Sequence, residues 1–550
     1  MHRDTYIQSQ VDSPSSSFSS GMLLEVTTTE IKFNGVVLSA KSPQSLLFAR
    51  RSWNHYEKSD EKPAEDEQYI GYDTENRIVT IRTAISGMSP LAYHYSPGLV
   101  IIAPSAAQVV DALRKLNHYP AADKTGIFES LIFDHPLGDR TNHMGVYKTR
   151  MAEEIRLDVI KGERESAPYW IMPLSMKDSY NEAEAVNRGT DILAGILDDI
   201  NLPNEIVVPL SGGLDSRLVC SLAVQRGCHV HSFTFGNYRN KELCIGERVA
   251  RRLRVSWQPI ELKPKDYLEF GRRVVVLTEG LSTPMHMHLF SALSALSYRD
   301  MPVLHGYMGD PVAGADATCR VQSDSAARAV EDFLKMGAMS HPVWQWLSSE
   351  NRDSVREDLY RLAKECGRLN HIKRFPEYFH NVERQASLIA HVFSPVEILQ
   401  PIVRPFANRT FMEFFGALPQ EMRVGRRLFK VIARRLFPDI FNLPDTSWPD
   451  GGQLSHRLKR TIIRSRNFLQ YASSWLTRNQ SILFSPYLYE QHRYLLDTYL
   501  SSELAESIRN VGSFFDVCFT PFLHSSKRHS YNMTRFRLLA LGWLIRHNRF

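Results

Sequence analysis

A run of apolar and β-branched residues, EIVVPL, stops at Leu210 and gives way at once to Ser211-Gly212-Gly213-Leu214-Asp215-Ser216, after which RLVCSLAVQRG reads as a helix. A strand that turns through two glycines straight into a helix constrains the fold more than any other stretch. The glycines let backbone N–H groups approach an anion, and the helix N-terminus adds partial positive charge. Ser211 and Ser216 supply hydroxyl donors. A carboxylate among phosphate-binding groups would repel the ligand unless a divalent cation intervenes, so Asp215 points to Mg²⁺. No G-x-x-x-x-G-K-[ST] string occurs, which excludes a Walker-type loop. Two glycines alone would equally close an ordinary turn. The full six-residue string between strand and helix favours the phosphate reading.

The flanking sequence sets this loop in an alternating pattern. Helical periodicity begins near Asn181, followed by EIVVPL, a helix from Ser216, VHSFTF, the helix KELCIGERVARRL, WQPIEL and later MPVLHG. Strands separated by helices predict a parallel α/β sheet. Between Met22 and Tyr169 the chain reads instead as short alternating runs with an Asn34-Gly35 hairpin signal, a helix near Ala107–Lys115, and a polar stretch, Asn54–Gln68, expected as a loop. Beyond Asp324 the pattern is mostly helical, and residues 1–20 form a Ser-rich segment expected as a mobile tail.

Composition excludes several classes. Of 550 residues, 43% are apolar and 23% charged, a balance that rules out wholesale disorder or a fibrous repeat. No run of about 18 apolar residues exists to span a bilayer, and the N-terminal segment lacks the apolar core of a secretory signal. Six cysteines without paired metal-ligand spacing suit a reducing compartment, so a cytoplasmic location is expected. The net charge of +6 is uneven: residues 401–550 carry 22 Lys/Arg against 10 Asp/Glu. That asymmetry fits either a polyanionic partner or a solvated helical face. No aromatic-rich nucleic-acid motif accompanies it, so no nucleic-acid or membrane partner is expected, and a homodimer is compatible with the sequence.

Ser211–Ser216 resembles the pyrophosphate loop of the N-type ATP pyrophosphatases, and specifically of the asparagine synthetase family. HSFTFG at His231–Gly236 is similar to the family's second strand, with Glu242 six residues on, and STPM at Ser282–Met285 matches a further family string. VLHGYMGDPVAG, Val303–Gly314, resembles the second phosphate and metal segment. VRPFANRTFMEF and LFKVIARR resemble the later Arg-x-Pro-Phe-Leu-Asp stretch and Lys-x-x-Leu-Arg helix. The resemblance implies that ATP and Mg²⁺ are bound. Leu210, Ser211, Gly212, Gly213, Leu214, Asp215 and Ser216 would cradle phosphate, and Phe235 and Gly236 adenine. His305 and Gly306 would sit against the nucleotide, Asp215 and Asp310 would hold the metal, and Lys430 would face the α-phosphate. RIVTIRTAISGMSPLAYHY, retaining Gly87, Pro90 and Leu91, also resembles the family's N-terminal domain.

The implied fold is α/β plus α+β. An Ntn-hydrolase-like αββα sandwich over 21–175 precedes a parallel-sheet PP-loop domain of the adenine-nucleotide α-hydrolase type over 180–460, with a basic helical extension over 461–550. The departures from the family shape the expected activity. His2 follows Met1 where glutamine-dependent members have cysteine, the first cysteine is Cys220, and Thr83 replaces a family Asp. These changes imply a degenerate glutaminase domain. Tyr307 stands where ammonia-using members carry Glu; the family's β-lactam and carbapenam synthetases have Tyr there, paired with a Glu that helps deprotonate an amine, and Glu383 is the candidate partner. The simpler alternative is a packed aromatic. Pro311 and Asn408 replace a usual Glu and Asp. The resemblance therefore implies an AMP-forming amide ligase acting on a small-molecule or peptide carboxylate and amine, with lactam and lasso-peptide cyclases among its relatives. The alternatives are an ammonia-using asparagine synthetase and a catalytically decayed nucleotide-binding scaffold. A tRNA-thiolating enzyme would need a suitably placed cysteine pair, which is missing. His286 and His288 are expected to have a structural or surface role.

Overall fold

The computed structural model describes residues 23–27, the strands at 31–33, 36–38, 46–52 and 55–58, and residues 68–174, 180–236, 241–298, 301–368, 371–443, 495–523 and 529–550. The Ser-rich segment, His2 and the first part of the basic extension lie outside the described residues.

A β-sandwich occupies the N-terminal part. One six-stranded antiparallel sheet contains Leu24–Thr27, Ala92–Ser96 and Leu99–Ala103, and a second contains Tyr69–Asp73, Ile78–Arg82 and Glu153–Asp158. Alternate side chains of the two sheets meet: Leu24, Val26, Val100 and Ile102 pack with Ile70, Val79, Ile81 and Leu157. The other face of the first sheet, through Ile101 and Ala103, is covered by Val109, Val110 and Leu113 of the Ala106–Lys115 helix, whose N-cap is Ser105. The strands flanking Asn34-Gly35 pair antiparallel, Phe33 opposite Val36, as the hairpin signal predicts. One expectation needs correction. His55–Lys58 is not loop but a strand paired with Leu46–Ser52. It is the outermost strand of its sheet, where polar composition is tolerated because only one edge is paired.

The second part is built on a five-stranded parallel sheet. Across it run Ser256–Glu261, His229–Gly236, Glu205–Pro209, Val303–Leu304 and Ile402–Val403. The central strand is buried on both faces, so Ile206, Val207 and Val208 form a continuous apolar run rather than an alternating one. The helix Leu214–Gln225 begins two residues before the expected Ser216. Numbered by chain order, the strands run third, second, first, fourth, fifth. The order reverses between Glu205–Pro209 and Val303–Leu304, which opens a crevice beyond their C-terminal ends.

Several arginines at the end of the chain are engaged in ion pairs rather than left to solvent. Arg535 pairs with Asp497, Arg537 with Asp134, Arg546 with Glu503 and Glu506, and Arg549 with Asp111 and Glu279. The His529–Arg546 helix thus joins the sandwich to the α/β part. No helix among the described residues is long and apolar enough to cross a membrane.

Glu279 is fully buried, and burial opposes its charge. The His143 ring, 3.0 Å away, and Arg549 nevertheless hold its carboxyl below the usual range. Arg549→Ala therefore strands a buried carboxylate and is expected to destabilise the protein by about 3–5 kcal/mol. Denaturant titration beside an Arg509→Ala control, at an exposed position, checks this; equal midpoints would contradict it.

Candidate active site

The crevice is a cavity of about 730 Å³. Its walls come from the turns that leave the two central strands and from two later helical segments.

The first turn is tied to itself and to the sheet. The Ser211 hydroxyl accepts from the Gly213 N–H at 3.1 Å and lies 3.0 Å from the Ser216 hydroxyl. Beneath it, the Trp257 indole N–H donates to Thr234 at 2.9 Å, and the Thr234 hydroxyl donates to the Leu210 carbonyl at 2.5 Å. Arg217, wholly buried, donates to the carbonyls of Gly212 at 3.2 Å and Leu443 at 3.0 Å. The turn is pinned from below while its helix N-terminus opens onto the cavity.

The second turn closes over the first. The His305 N–H donates to the Val403 carbonyl at 2.8 Å, continuing the sheet. Gly306 and Gly309 then press against Asp215. A Cβ on Gly306 would lie 2.7 Å from the Asp215 carbonyl carbon, and one on Gly309 would lie 2.7 Å from the Asp215 carboxyl carbon. Only glycine permits that approach. Asp310 follows in the Gly309–Ala313 helix with its side chain 57% exposed, whereas that of Asp215 is 18% exposed.

Both carboxylates meet one cation. The Arg426 guanidinium bonds Asp215 through one nitrogen and Asp310, at 2.8 Å, through another, while its plane lies 4.5 Å from the Phe429 ring centroid. Burial pushes the Asp215 carboxyl up to about 6; Arg426 opposes the shift and Asp310 adds to it. Two hard carboxylate oxygens aimed at one positive charge suit Mg²⁺, which takes one or two carboxylates and completes its shell with phosphate and water. Arg426 was not anticipated. It lies four residues before Lys430, just outside the Arg427–Leu436 helix, at φ +61°.

The structure gathers most of the expected residues. Leu210, Ser211, Gly213, Leu214, Asp215, Ser216, Phe235, His305, Gly306, Tyr307, Asp310 and Lys430 line the cavity. Gly212 turns its carbonyl to Arg217, and Gly236 ends its strand at φ +157° outside the lining. Phe235 is flanked by His288, whose ring is parallel at 6.2 Å and whose Nε2 lies 2.9 Å from the Tyr267 hydroxyl; His288 is structural, as expected. Burial and Arg404 push His305 down to about 3, so it is neutral in the working pH range. Tyr307 packs on Phe393 at 5.1 Å, and its buried hydroxyl oxygen has no hydrogen-bond partner.

Glu383 is not brought to Tyr307. Its carboxylate accepts from the Gly138 N–H at 2.9 Å and the Ser387 hydroxyl at 2.8 Å, on the side facing the sandwich. Two consecutive π-helical turns, Phe379–Glu383 and Gln385–Ile389, turn Arg384, Gln385 and Ile389 toward the cavity instead. Two replaced family positions have local roles: Asn408 caps the Arg409–Ala417 helix, and Thr83 bonds the Glu153 backbone.

Residues 204–381 match the family model for asparagine synthase. This segment is asparagine synthase-like. No curated protein matches the chain. Among solved structures, NMN synthetase from Francisella tularensis is similar at 14% identity over 39% of this chain and 92% of that chain, with a TM-score of 0.17. The asparagine synthase-like segment contributes both central strands, both turns and both aspartates; Arg426 and Lys430 come from beyond the matched residues.

Because Gly309 abuts Asp215, Gly309→Ala should weaken nucleotide binding about tenfold or more while leaving the circular dichroism spectrum unchanged. Gly337→Ala, where an added Cβ meets nothing within 4 Å, should be silent in the same ATP titration. His305 yields a second expectation: its ring resonances should not shift between pH 5 and 8. Because its neutral form is favoured only when folded, its contribution to stability falls as pH drops below about 6.5 toward 3, by about 1.4 kcal/mol per unit.

Proposed function

We propose that the chain is an ATP-dependent, AMP-forming ligase that adenylates a carboxylate and joins it to an amine that is itself a substrate. One observation carries the reading: Asp215 and Asp310, from turns about 95 residues apart, converge on a single cation beside a glycine-rich helix N-terminus.

Carboxylate and amine do not condense in neutral water because the carboxylate loses a poor leaving group. In the first half-reaction a carboxylate oxygen attacks the α-phosphorus of ATP, and the bond to pyrophosphate breaks. Ser211, Ser216 and the N–H groups at the start of the Leu214–Gln225 helix hold the departing pyrophosphate. Lys430, Arg384 and Arg426, all lining the cavity, offset its growing charge, and Phe235 offers a flat apolar surface to adenine. Mg²⁺, held by Asp215 and Asp310, would screen the phosphate oxygens from the two carboxylates.

In the second half-reaction the amine nitrogen attacks the acyl carbon and the bond to AMP breaks. Tyr307 takes a different role from the expected base. Burial pushes its phenol far up, so the phenolate is not available, and Glu383 is bonded elsewhere. Its unpartnered hydroxyl instead orients the incoming amine by a hydrogen bond, recovering the roughly 1–3 kcal/mol an unpaired buried polar group costs. The amine's proton leaves with a phosphate oxygen of AMP. The sandwich is read as a glutaminase-like domain that has become a docking partner, in keeping with the absence of cysteine before Cys220.

ATP–pyrophosphate exchange across a panel of carboxylic acids tests the reading. Asp310→Ala should reduce exchange at least about 100-fold. Tyr307→Phe should leave it within about threefold yet slow amide formation tenfold or more. Equal loss of both activities would reject the role given to Tyr307, and no exchange with any acid would favour a nucleotide-binding scaffold. Asparagine formed from aspartate and ammonium would identify the ammonia-using variant.

A further inference from the structure

We propose that Glu205, His229 and His231 form a second metal site, for a divalent cation of the zinc class, at the end of the parallel sheet opposite the ATP cavity. Glu205 and His229 are register partners on adjacent parallel strands. His231 lies two residues further along, which places it on the same face as His229. One ligand atom from each of the three lies within 4.8 Å of the others.

The spacing fits a coordination shell. The His229 Nδ1 is 3.3 Å from the Glu205 Oε1, and the His231 Nε2 is 3.7 Å from the same oxygen. Zinc binds His nitrogen and carboxylate oxygen at about 2.0–2.2 Å in tetrahedral geometry, so neighbouring ligand atoms sit about 3.3–3.6 Å apart. Both contacts to Glu205 meet that requirement with little movement.

His231 is held in place before any ion arrives. The Tyr298 ring packs on it at a centroid distance of 4.3 Å, and its Nδ1 lies 3.4 Å from the Ser256 hydroxyl. The ring is therefore fixed with Nε2 toward Glu205. That nitrogen is buried and makes no hydrogen bond, an unmet need that a metal satisfies. A partner on the far ring nitrogen is the usual support of a metal-binding histidine. Two imidazoles and one carboxylate suit zinc and its neighbours and are a poor set for Mg²⁺, which separates this site chemically from the aspartate pair. The fourth position faces solvent, since the His229 side chain is 67% exposed, and water would complete the shell. The bound ion would staple the starts of the two strands whose far ends carry Leu210 and Phe235.

Cobalt(II) is the probe. The full chain, stripped with chelator and titrated at pH 7.5, should develop visible d–d bands that saturate at one equivalent and disappear on adding zinc. His231→Ala should abolish the bands, and Glu205→Gln should weaken cobalt binding at least tenfold. Zinc should raise the unfolding temperature of the parent by several degrees and leave that of His231→Ala unchanged. If His231→Ala does not fold, His229→Ala, at an exposed ring, carries the same test. Absence of the bands, or bands that persist in both histidine variants because the ion sits elsewhere, would overturn the proposal.

Discussion

Asp215 and Asp310 share one cleft with a cation, Arg426, between them. Two like charges about 4 Å apart repel by about 4 kcal/mol at an effective dielectric of 20, and the Asp215 carboxyl is already disfavoured by burial. The rest of the α/β part is arranged around that conflict. The reversal of strand order places the two turns side by side, Gly306 and Gly309 let the second turn lie against the first, and Arg426 bridges the carboxylates. Remove the reversal or either glycine and the pair separates; remove the cation and it repels.

The two halves of the molecule are joined by the same kind of chemistry. Glu383 accepts from Gly138, Arg150 forks onto Glu365 at 2.6 and 2.8 Å, and Arg140 reaches Asp358 at 2.7 Å. Gly87, at φ +65°, comes close enough to Ala386 that an added Cβ would lie 3.1 Å away. This interface is charged yet largely closed to water, so each partner depends on the other. Glu383 thus serves the junction, and the neighbouring Arg384 and Gln385 serve the cavity. One helical segment carries the contact with the sandwich on one face and part of the site on the other.

The parallel sheet was legible because its central strand is buried on both faces and reads as an unbroken apolar run, and the phosphate loop because its six residues fall between that strand and a helix. The His55–Lys58 strand was not, since a sheet edge tolerates polar residues that resemble a loop. The pairing of Glu383 with Tyr307 rests on a family resemblance, and spacing along the chain does not say which face of a segment a residue takes; here π-helical turns carry Glu383 toward the sandwich and Arg384 and Gln385 toward the cavity. Arg426 was hidden by its backbone, because Gly425 and Arg426 both have positive φ and redirect the chain just before the Arg427–Leu436 helix. The charge asymmetry of the last 150 residues suggested a surface. Arg535, Arg537, Arg546 and Arg549 instead pair with carboxylates distant in sequence.

Arg426 sets the terms on which a nucleotide enters. A non-glycine residue at φ +61° carries a backbone cost of roughly 1–2 kcal/mol, and the structure offsets it with two ion pairs and the face of Phe429. The guanidinium neutralises the aspartates and ties the two turns together. Under the proposed function, an incoming triphosphate would change the balance, because its oxygens would compete for the guanidinium while a divalent cation would compete for the carboxylates. A planar, bidentate cation suits such an exchange, since it can keep one carboxylate while turning its other nitrogen to a phosphate. Lys430, four residues further on, offers only a point charge.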